Sequence, residues 1–179
     1  DAGFSEQLAR LADVYVNDAF AVSHRAHASV AGVAERVEIR GAGFLLRKEM
    51  DYFQRAMADP IRPLAAIVGG AKVSSKLGAL ENMLSRVDKM IIGGAMANTF
   101  LKALGCPVGA SLVEDDLLEE ARKLLQQAEV HGVKLFLPVD LVVADAFAND
   151  AVYKQVTCHE VPDGWMALDI GPATSIYFQ

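Results

Sequence analysis

Cationic residues are in deficit in this sequence, cysteine is rare, and no apolar run is long. Each shortage closes off a class of protein. Lysine and arginine number 17 against 23 aspartates and glutamates, a net charge of −6 over 179 residues. That balance argues against a general nucleic-acid binder, which is usually basic. It leaves anionic small ligands open, because a local cluster of cations can hold them. The longest uncharged run, Met90 to Leu101, is broken by Gly93-Gly94 and falls far short of the ~20 apolar residues a membrane helix needs. No signal peptide opens the chain. It begins with Asp1 instead of methionine and stops just after a glycine-proline turn, so it reads as a piece of a longer chain. The two cysteines, Cys106 and Cys158, stand far apart and neither belongs to a Cys-x-x-Cys pair. No zinc or redox motif is indicated, and reduced thiols in a cytosolic protein are expected. Neither a Walker loop nor a Gly-x-Gly-x-x-Gly fingerprint occurs, so a nicotinamide-dependent dehydrogenase is disfavoured.

What is present is apolar and punctuated by glycine. Hydrophobic residues make up 53% of the chain, enough for a core in one domain or two small ones. The stretch from Leu64 to Leu84, LAAIVGGAKVSSKLGALENML, organises the rest. A short apolar run ends in Gly69-Gly70, Lys72 and Lys76 follow, and leucines then recur at helical spacing. The reading is strand, glycine turn, helix, with two cations where the helix begins. Glycine lets backbone approach a ligand closely, and a helix N-terminus favours anions. If the first helical turn includes both lysines, they share one face. This is chemistry for polyphosphate, although tight strand-to-helix packing beside two solvated lysines would leave the same pattern.

The spacing predicts a helix from Ser5 to Ala12 with Ser5 as N-cap, then a β run at Val14–Val16. Residues 17–33 are loop-like, and Asn17 and Asp18 suit a turn fixed by side chains. This loop holds His24, Arg25 and His27. The histidines lack a third metal ligand nearby, so they read as structural, whereas Arg25 offers a five-donor fork for carboxylate or phosphate. Residues 35–42 look like a connection. An amphipathic helix is predicted from Phe44 to Ala58, stopped by Asp59-Pro60. Strands at Leu64–Val68, Lys89–Ile92 and Val133–Leu137 then alternate with helices at Ser74–Arg86, Met96–Ala103 and Glu114–His131, with Gly132 closing the last. A further strand is suggested at Leu141–Val143, and a hairpin or edge at Val152–Val161. Such alternation means a parallel sheet with helices on both faces. The glycine turns after Val68 and Ile92 would line one crevice if their strands are neighbours. Trp165 suits either an adenine site or the core, and the core is favoured.

Residues 14–29 (VYVNDAFAVSHRAHAS) form the first of several diagnostic segments. The others are GFLLRKEMDYF, IVGGAKVSSK, MIIGGAMANTFL, LPVDLVVAD and GWMALDIGP. In this order, and across essentially the whole chain, they resemble the phosphoglycerate kinase family. The resemblance implies a Rossmann-like sheet belonging to a two-lobed α/β enzyme. Residues 1–42 would end the 3-phosphoglycerate lobe, 43–60 would be the interdomain helix, and 61–179 would begin the nucleotide lobe. Hinges would lie around Gly41 to Gly43 and at Asp59-Pro60. The implied reaction is reversible phosphoryl transfer between 1,3-bisphosphoglycerate and ADP, giving 3-phosphoglycerate and ATP. The family is glycolytic, cytoplasmic and typically monomeric, with neither nucleic acid nor membrane as a partner.

Residue by residue, Arg25 matches a 3-phosphoglycerate ligand and Lys72 a lysine thought to follow the phosphoryl group in flight. Lys76 matches a nucleotide-phosphate contact, while Gly70, Gly94, Ala95, Leu112, Ala167 and Leu168 match nucleotide-pocket positions. Ala95 and Ala167 stand where glycine is frequent, and the Ala95 methyl would crowd the pocket slightly. The family's Gly-Gly-Gly-Asp-Thr loop, its ribose-binding glutamate and its other substrate arginines are not in this sequence. Magnesium would accompany ATP or ADP with its protein ligand outside this chain, so no metal ligand is assigned here. The alternative is a nucleotide-binding module, or a truncated relative that never turns over.

Overall fold

The computed structural model describes residues 2–58 and 60–179. The chain falls into two compact units, Asp1–Ile61 and Arg62–Gln179.

In the first unit, helix α1 (Ala2–Ala9) precedes strand β1 (Val14–Asn17). The helix begins earlier than its spacing suggested, and Ser5, expected as an N-cap, is a buried interior residue. The loop after β1 is built as expected. Asn17 Oδ1 accepts from Ala19 N at 3.0 Å, and its Nδ2 donates to Ser23 Oγ at 3.3 Å. A short 3₁₀ turn (Phe20–Val22) and a π-helical turn (Ala28–Gly32) follow. Residues 39–42 are a strand, not a connection. Strand β2 (Ile39–Ala42) pairs in parallel with β1, Val14 opposite Ile39 and Asn17 opposite Ala42. All four of its residues are exposed, so it has no apolar alternation to betray it. Helix α2 (Phe44–Ala58) has the bounds its amphipathic pattern predicts. Asp18 Oδ1 accepts the Leu46 amide at 2.9 Å and so caps the helix from a distant loop. The stop expected at Asp59-Pro60 involves Asp59, which lies outside the described residues.

The second unit is built on a three-stranded parallel sheet of β3 (Ala65–Gly69), β4 (Lys89–Gly93) and β5 (Lys134–Phe136), in that order. Helix α3 (Leu77–Leu84) joins the first pair, and α4 (Met96–Ala103) and α5 (Leu118–Val130) the second. Parallel strands need such crossovers. Leu80, Leu84, Met90, Ile92, Met96, Phe100, Ala121 and Leu124 form one apolar cluster. Ala66 and Val68 pack on it, whereas Ile67 on the opposite face of β3 is 77% exposed. Val130 is followed by His131 and then Gly132 at φ +70°, the left-handed position that ends a helix.

Beyond β5 the parallel alternation stops. Strand β6 (Asp140–Ala144) lies between β7 (Tyr153–Thr157) and β8 (Met166–Ile170), antiparallel to both. The edge expected within residues 152–161 is β7. A second apolar cluster, including Leu101, Leu141, Val143 and Val161, lies here, with half-buried Trp165 packed against it as a core tryptophan. Burial pushes the Cys106 thiol up to about 11, and the adjacent Cys158 thiol adds to the shift.

The last helix, α6 (Pro172–Tyr177), is held by a carboxylate from β6. Asp140 accepts the Thr174 amide at 2.6 Å and the Ala173 amide at 3.0 Å, while Pro172 opens the helix where no amide is needed. Thr174, fully buried, in turn accepts the Val139 and Asp140 amides at 2.9 and 3.0 Å. Asp140→Ala removes a cap and strands these donors, so it should lower unfolding stability by about 1–2 kcal/mol. Urea unfolding of the variant beside the parent chain measures this. An unchanged midpoint would mean the cap is dispensable.

Candidate functional site

The site begins at the carboxyl ends of β3 and β4. These strands are neighbours with Gly69 opposite Gly93, so the two glycine turns lie side by side, as the crevice reading requires. Their contact is close. A Cβ on Gly94 would lie 2.8 Å from Gly70 N and 2.9 Å from Gly70 O, and Gly94 has φ +66°. Both constraints require glycine there. The Met96 amide then donates to Gly70 O at 2.8 Å, tying the start of α4 to the end of β3.

Gly94 and Ala95 form part of the wall of a cavity of about 490 Å³, within the range of small-molecule sites. Leu112, Ala167 and Leu168 line it as well, together with Asn98, Phe147, Met166 and Asp169. The structure therefore brings five of the six expected pocket residues to one cavity and places the sixth, Gly70, against Gly94. The wall is held by polar contacts that the sequence did not announce. Asn98 Nδ2 donates to Leu112 O at 3.3 Å, and Ser111 Oγ accepts the Ala167 amide at 2.8 Å. Ala167 also packs against the second apolar cluster, so it links the cavity wall to that core. Ala95 has ordinary right-handed helical angles, so a side chain there costs the backbone nothing. Phe147 is 86% exposed in the loop after β6. No periodicity marks it, which is why sequence reading missed it.

Lys72 and Lys76 occupy the turn between β3 and α3. The helix starts at Leu77, three residues beyond the expected Ser74, so the lysines do not share a helical face. The reason is Glu114. Its Oε2 accepts the Val73 and Ser74 amides at 2.5 and 3.1 Å, and its Oε1 accepts Ser74 Oγ at 2.6 Å. These bonds hold residues 73 and 74 in a turn that precedes the helix. The Ser74 hydroxyl is the main cause of the lowered Glu114 pKa, opposed by desolvation and helped by the Ser74 and Val73 amides and the Lys72 charge. Lys72 is exposed and Lys76 half-buried, and the Lys76 Cε would lie 2.9 Å from a Cβ on Gly70. Among the described residues neither lysine forms an ion pair within 4.0 Å.

Arg25 belongs to the first unit. It is exposed in the loop after β1, where its amide donates to Val22 O at 3.0 Å. His24 and His27 are exposed beside it. Among the described residues the one group of three potential metal-ligating side chains is Cys106, Cys158 and His159, and none of these lines the cavity.

Three carboxylates carry a pH consequence. Asp140 is lowered because its bonds from Thr174 and Ala173 outweigh the larger single effect of desolvation, and Asp88 is lowered chiefly by the Leu64 amide. With Glu114 they sit below ordinary values of 3.8 and 4.5. A depressed folded-state value stabilises above the unfolded pKa and loses that stability as pH falls through the folded one. The melting temperature should therefore decline as pH drops below about 4. Melting curves that hold level or rise on acidification would contradict this network.

Together these features define an α/β protein with a cavity at the carboxyl ends of adjacent parallel strands. A family model described as phosphoglycerate kinase matches residues 1–179. The chain belongs to the phosphoglycerate kinase family, as its motifs implied. It is 70% identical over its full length to the phosphoglycerate kinase of Desulfotalea psychrophila, covering 46% of that protein. It is 56% identical to that of Nautilia profundicola, over 97% of this chain and 44% of the relative. The structure of phosphoglycerate kinase from Coxiella burnetii superposes with a TM-score of 0.84 at 43% identity, over 99% of this chain and 46% of that one. The Pyrococcus horikoshii enzyme gives 0.80 at 26% identity, over 99% and 47%. The chain thus spans less than half the length of these relatives.

Proposed function

We propose that this chain supplies part of a phosphoglycerate kinase, catalysing reversible phosphoryl transfer between 1,3-bisphosphoglycerate and ADP to give 3-phosphoglycerate and ATP. The observation that carries the proposal is the pairing of two glycine turns at an apolar cavity, beside two lysines, in a chain matched by the family model from end to end. Residues 1–42 would belong to the triose-binding lobe, 43–60 to the interdomain helix, and 61–179 to the nucleotide lobe.

Phosphoryl transfer needs alignment and charge stabilisation more than covalent help. The apolar wall of Leu112, Ala167 and Leu168 takes the base of ATP or ADP, while Gly70, Gly94 and Ala95 admit the nucleotide close to backbone. Lys76 holds nucleotide phosphate. Lys72, exposed and tethered only through its backbone, moves with the charge developing on the phosphoryl oxygens. Arg25 grips 3-phosphoglycerate through its guanidinium fork. Magnesium arrives with the nucleotide, held by phosphates and water, and no residue of this chain is assigned to it. Soluble metabolites as substrates place the work in the cytoplasm, with the whole enzyme acting as a monomer. Net charge and segment lengths offer no reason to add a nucleic acid or a membrane.

The isolated chain should show no measurable turnover and at most weak nucleotide binding, because less than half of a relative's length cannot align two substrates. Titrating ADP into the isotopically labelled chain should perturb amide signals of Gly70, Gly94, Leu112 and Ala167. Perturbations confined to other residues would overturn the assignment of the crevice. Activity is best read in a hybrid, in which this chain replaces its matching segment in the Desulfotalea psychrophila relative. There Arg25→Lys keeps the charge and loses the fork, so affinity for 3-phosphoglycerate should fall while ADP affinity holds. A parallel fall in both, measured by calorimetry, would make Arg25 a structural residue.

A further inference from the structure

Cys106 and His159 are 53 positions apart, and the fold brings Cys106 Sγ to 3.6 Å from His159 Nδ1. Cys158 joins them, so that all three ligand atoms lie within 4.8 Å of one another. We propose that Cys106, Cys158 and His159 form a binding site for a soft divalent cation of the zinc class.

Two local devices create the convergence. Cys106 follows α4, its amide donating to Leu101 O at 3.0 Å. Cys158 and His159 are the central residues of a turn after β7, closed by the Glu160 amide donating to Thr157 O at 3.0 Å. The Cys158 amide is itself anchored on Val139 O at 3.0 Å. The turn thus presents two consecutive side chains to one thiol.

The Cys106–His159 spacing suits tetrahedral coordination. Zinc–sulfur and zinc–nitrogen bonds of about 2.3 and 2.0–2.1 Å set sulfur and nitrogen roughly 3.6 Å apart at the tetrahedral angle, and the Cys106–His159 separation is 3.6 Å. The charges also balance. Both cysteines are buried in an apolar cluster, and two thiolates around one dication with a neutral imidazole carry no net charge. Sulfur and imidazole select a soft ion over magnesium or calcium. His159 is exposed, so ions have a way in and water can take the fourth position. Each thiol that binds releases its proton to solvent.

The test is titration of the reduced full chain with cobalt(II) alone, followed by competition with zinc. The expected result is one equivalent bound with a thiolate-to-cobalt charge-transfer band, bleached by zinc. Cys106→Ser and Cys158→Ser should each abolish that two-thiolate band. His159→Ala should weaken binding about tenfold or more, since losing a ligand costs no less than losing a second-sphere partner. Because His159 is exposed, this variant leaves the apolar cluster intact and decides the matter even if the cysteine variants fail to fold. No band, or a band indifferent to His159→Ala, would overturn the proposal. So would a chain that, purified without reductant, proves two hydrogens lighter and, once reduced, still binds no metal, which would make the pair a disulfide.

Discussion

Lys72→Ala in the hybrid kinase should lower kcat by about 10²–10³-fold, the scale for removing one transition-state charge partner. ADP affinity should change far less. The difference follows from where Lys72 stands. Its side chain is exposed, it makes no ion pair among the described residues, and its turn is held by Glu114 through Val73 and Ser74. The Lys72 charge is the least of the influences on Glu114, so truncation should remove charge while the Glu114 bonds to Val73 and Ser74 keep the turn. A fall in kcat with kcat/KM lowered equally marks an interaction made only in the transition state. A rise in KM alone would demote Lys72 to ground-state binding. Steady-state kinetics with ADP and 1,3-bisphosphoglycerate separates the two.

Gly94→Ala should be strongly destabilising. The left-handed backbone at φ +66° penalises any side chain, at about 1–3 kcal/mol. The added Cβ would also lie 2.8 Å from Gly70 N and 2.9 Å from Gly70 O, backbone atoms that cannot rotate away. Overpacking of this kind costs a further ~1–3 kcal/mol. Relief means parting the end of β3 from the start of α4, which breaks the bond from the Met96 amide to Gly70 O. Nucleotide binding should be lost along with stability, because Gly94 and the neighbouring Ala95 line the cavity. Gly93→Ala is the control. Its Cβ meets nothing within 4 Å, so its unfolding free energy should stay within about 0.5 kcal/mol of the parent. Equal losses at the two positions, in urea unfolding, would show that the Gly70–Gly94 contact is not what requires glycine.

The second unit was legible where local pattern and tertiary packing agree. Met90, Ile92, Met96 and Phe100 are all fully buried, and there the glycine pair, β4 and the bounds of α4 could be read directly. In the first unit, α2 was as clear because its apolar stripe is regular. Legibility failed where a distant group decides. The start of α3 is displaced by a carboxylate 40 positions away, bonded to the Ser74 amide, which no local propensity reports. Strand β2 exposes every residue, so pairing with β1 makes it a strand without leaving an apolar signature. The antiparallel sheet of β6, β7 and β8 was half seen, since alternation reveals strands but not their direction. The same limit hid the meeting of Cys106, Cys158 and His159. Of the crevice, the glycines and apolar walls were readable from motifs. Asn98, Ser111 and Glu114, which hold it in shape, were not, because single polar residues acquire such roles only through the fold.

The proposed role of these residues as working parts of a phosphoglycerate kinase is open to measurement. The most direct measurement is the steady-state turnover of the hybrid carrying all 179 residues in place of the matching segment of the relative with which they are 70% identical. ATP should form from ADP and 1,3-bisphosphoglycerate within about tenfold of the rate of the unmodified relative, because volume-conserving changes spread through a shared fold are well tolerated. A hybrid that folds cooperatively and binds ADP, yet forms no ATP, would contradict it.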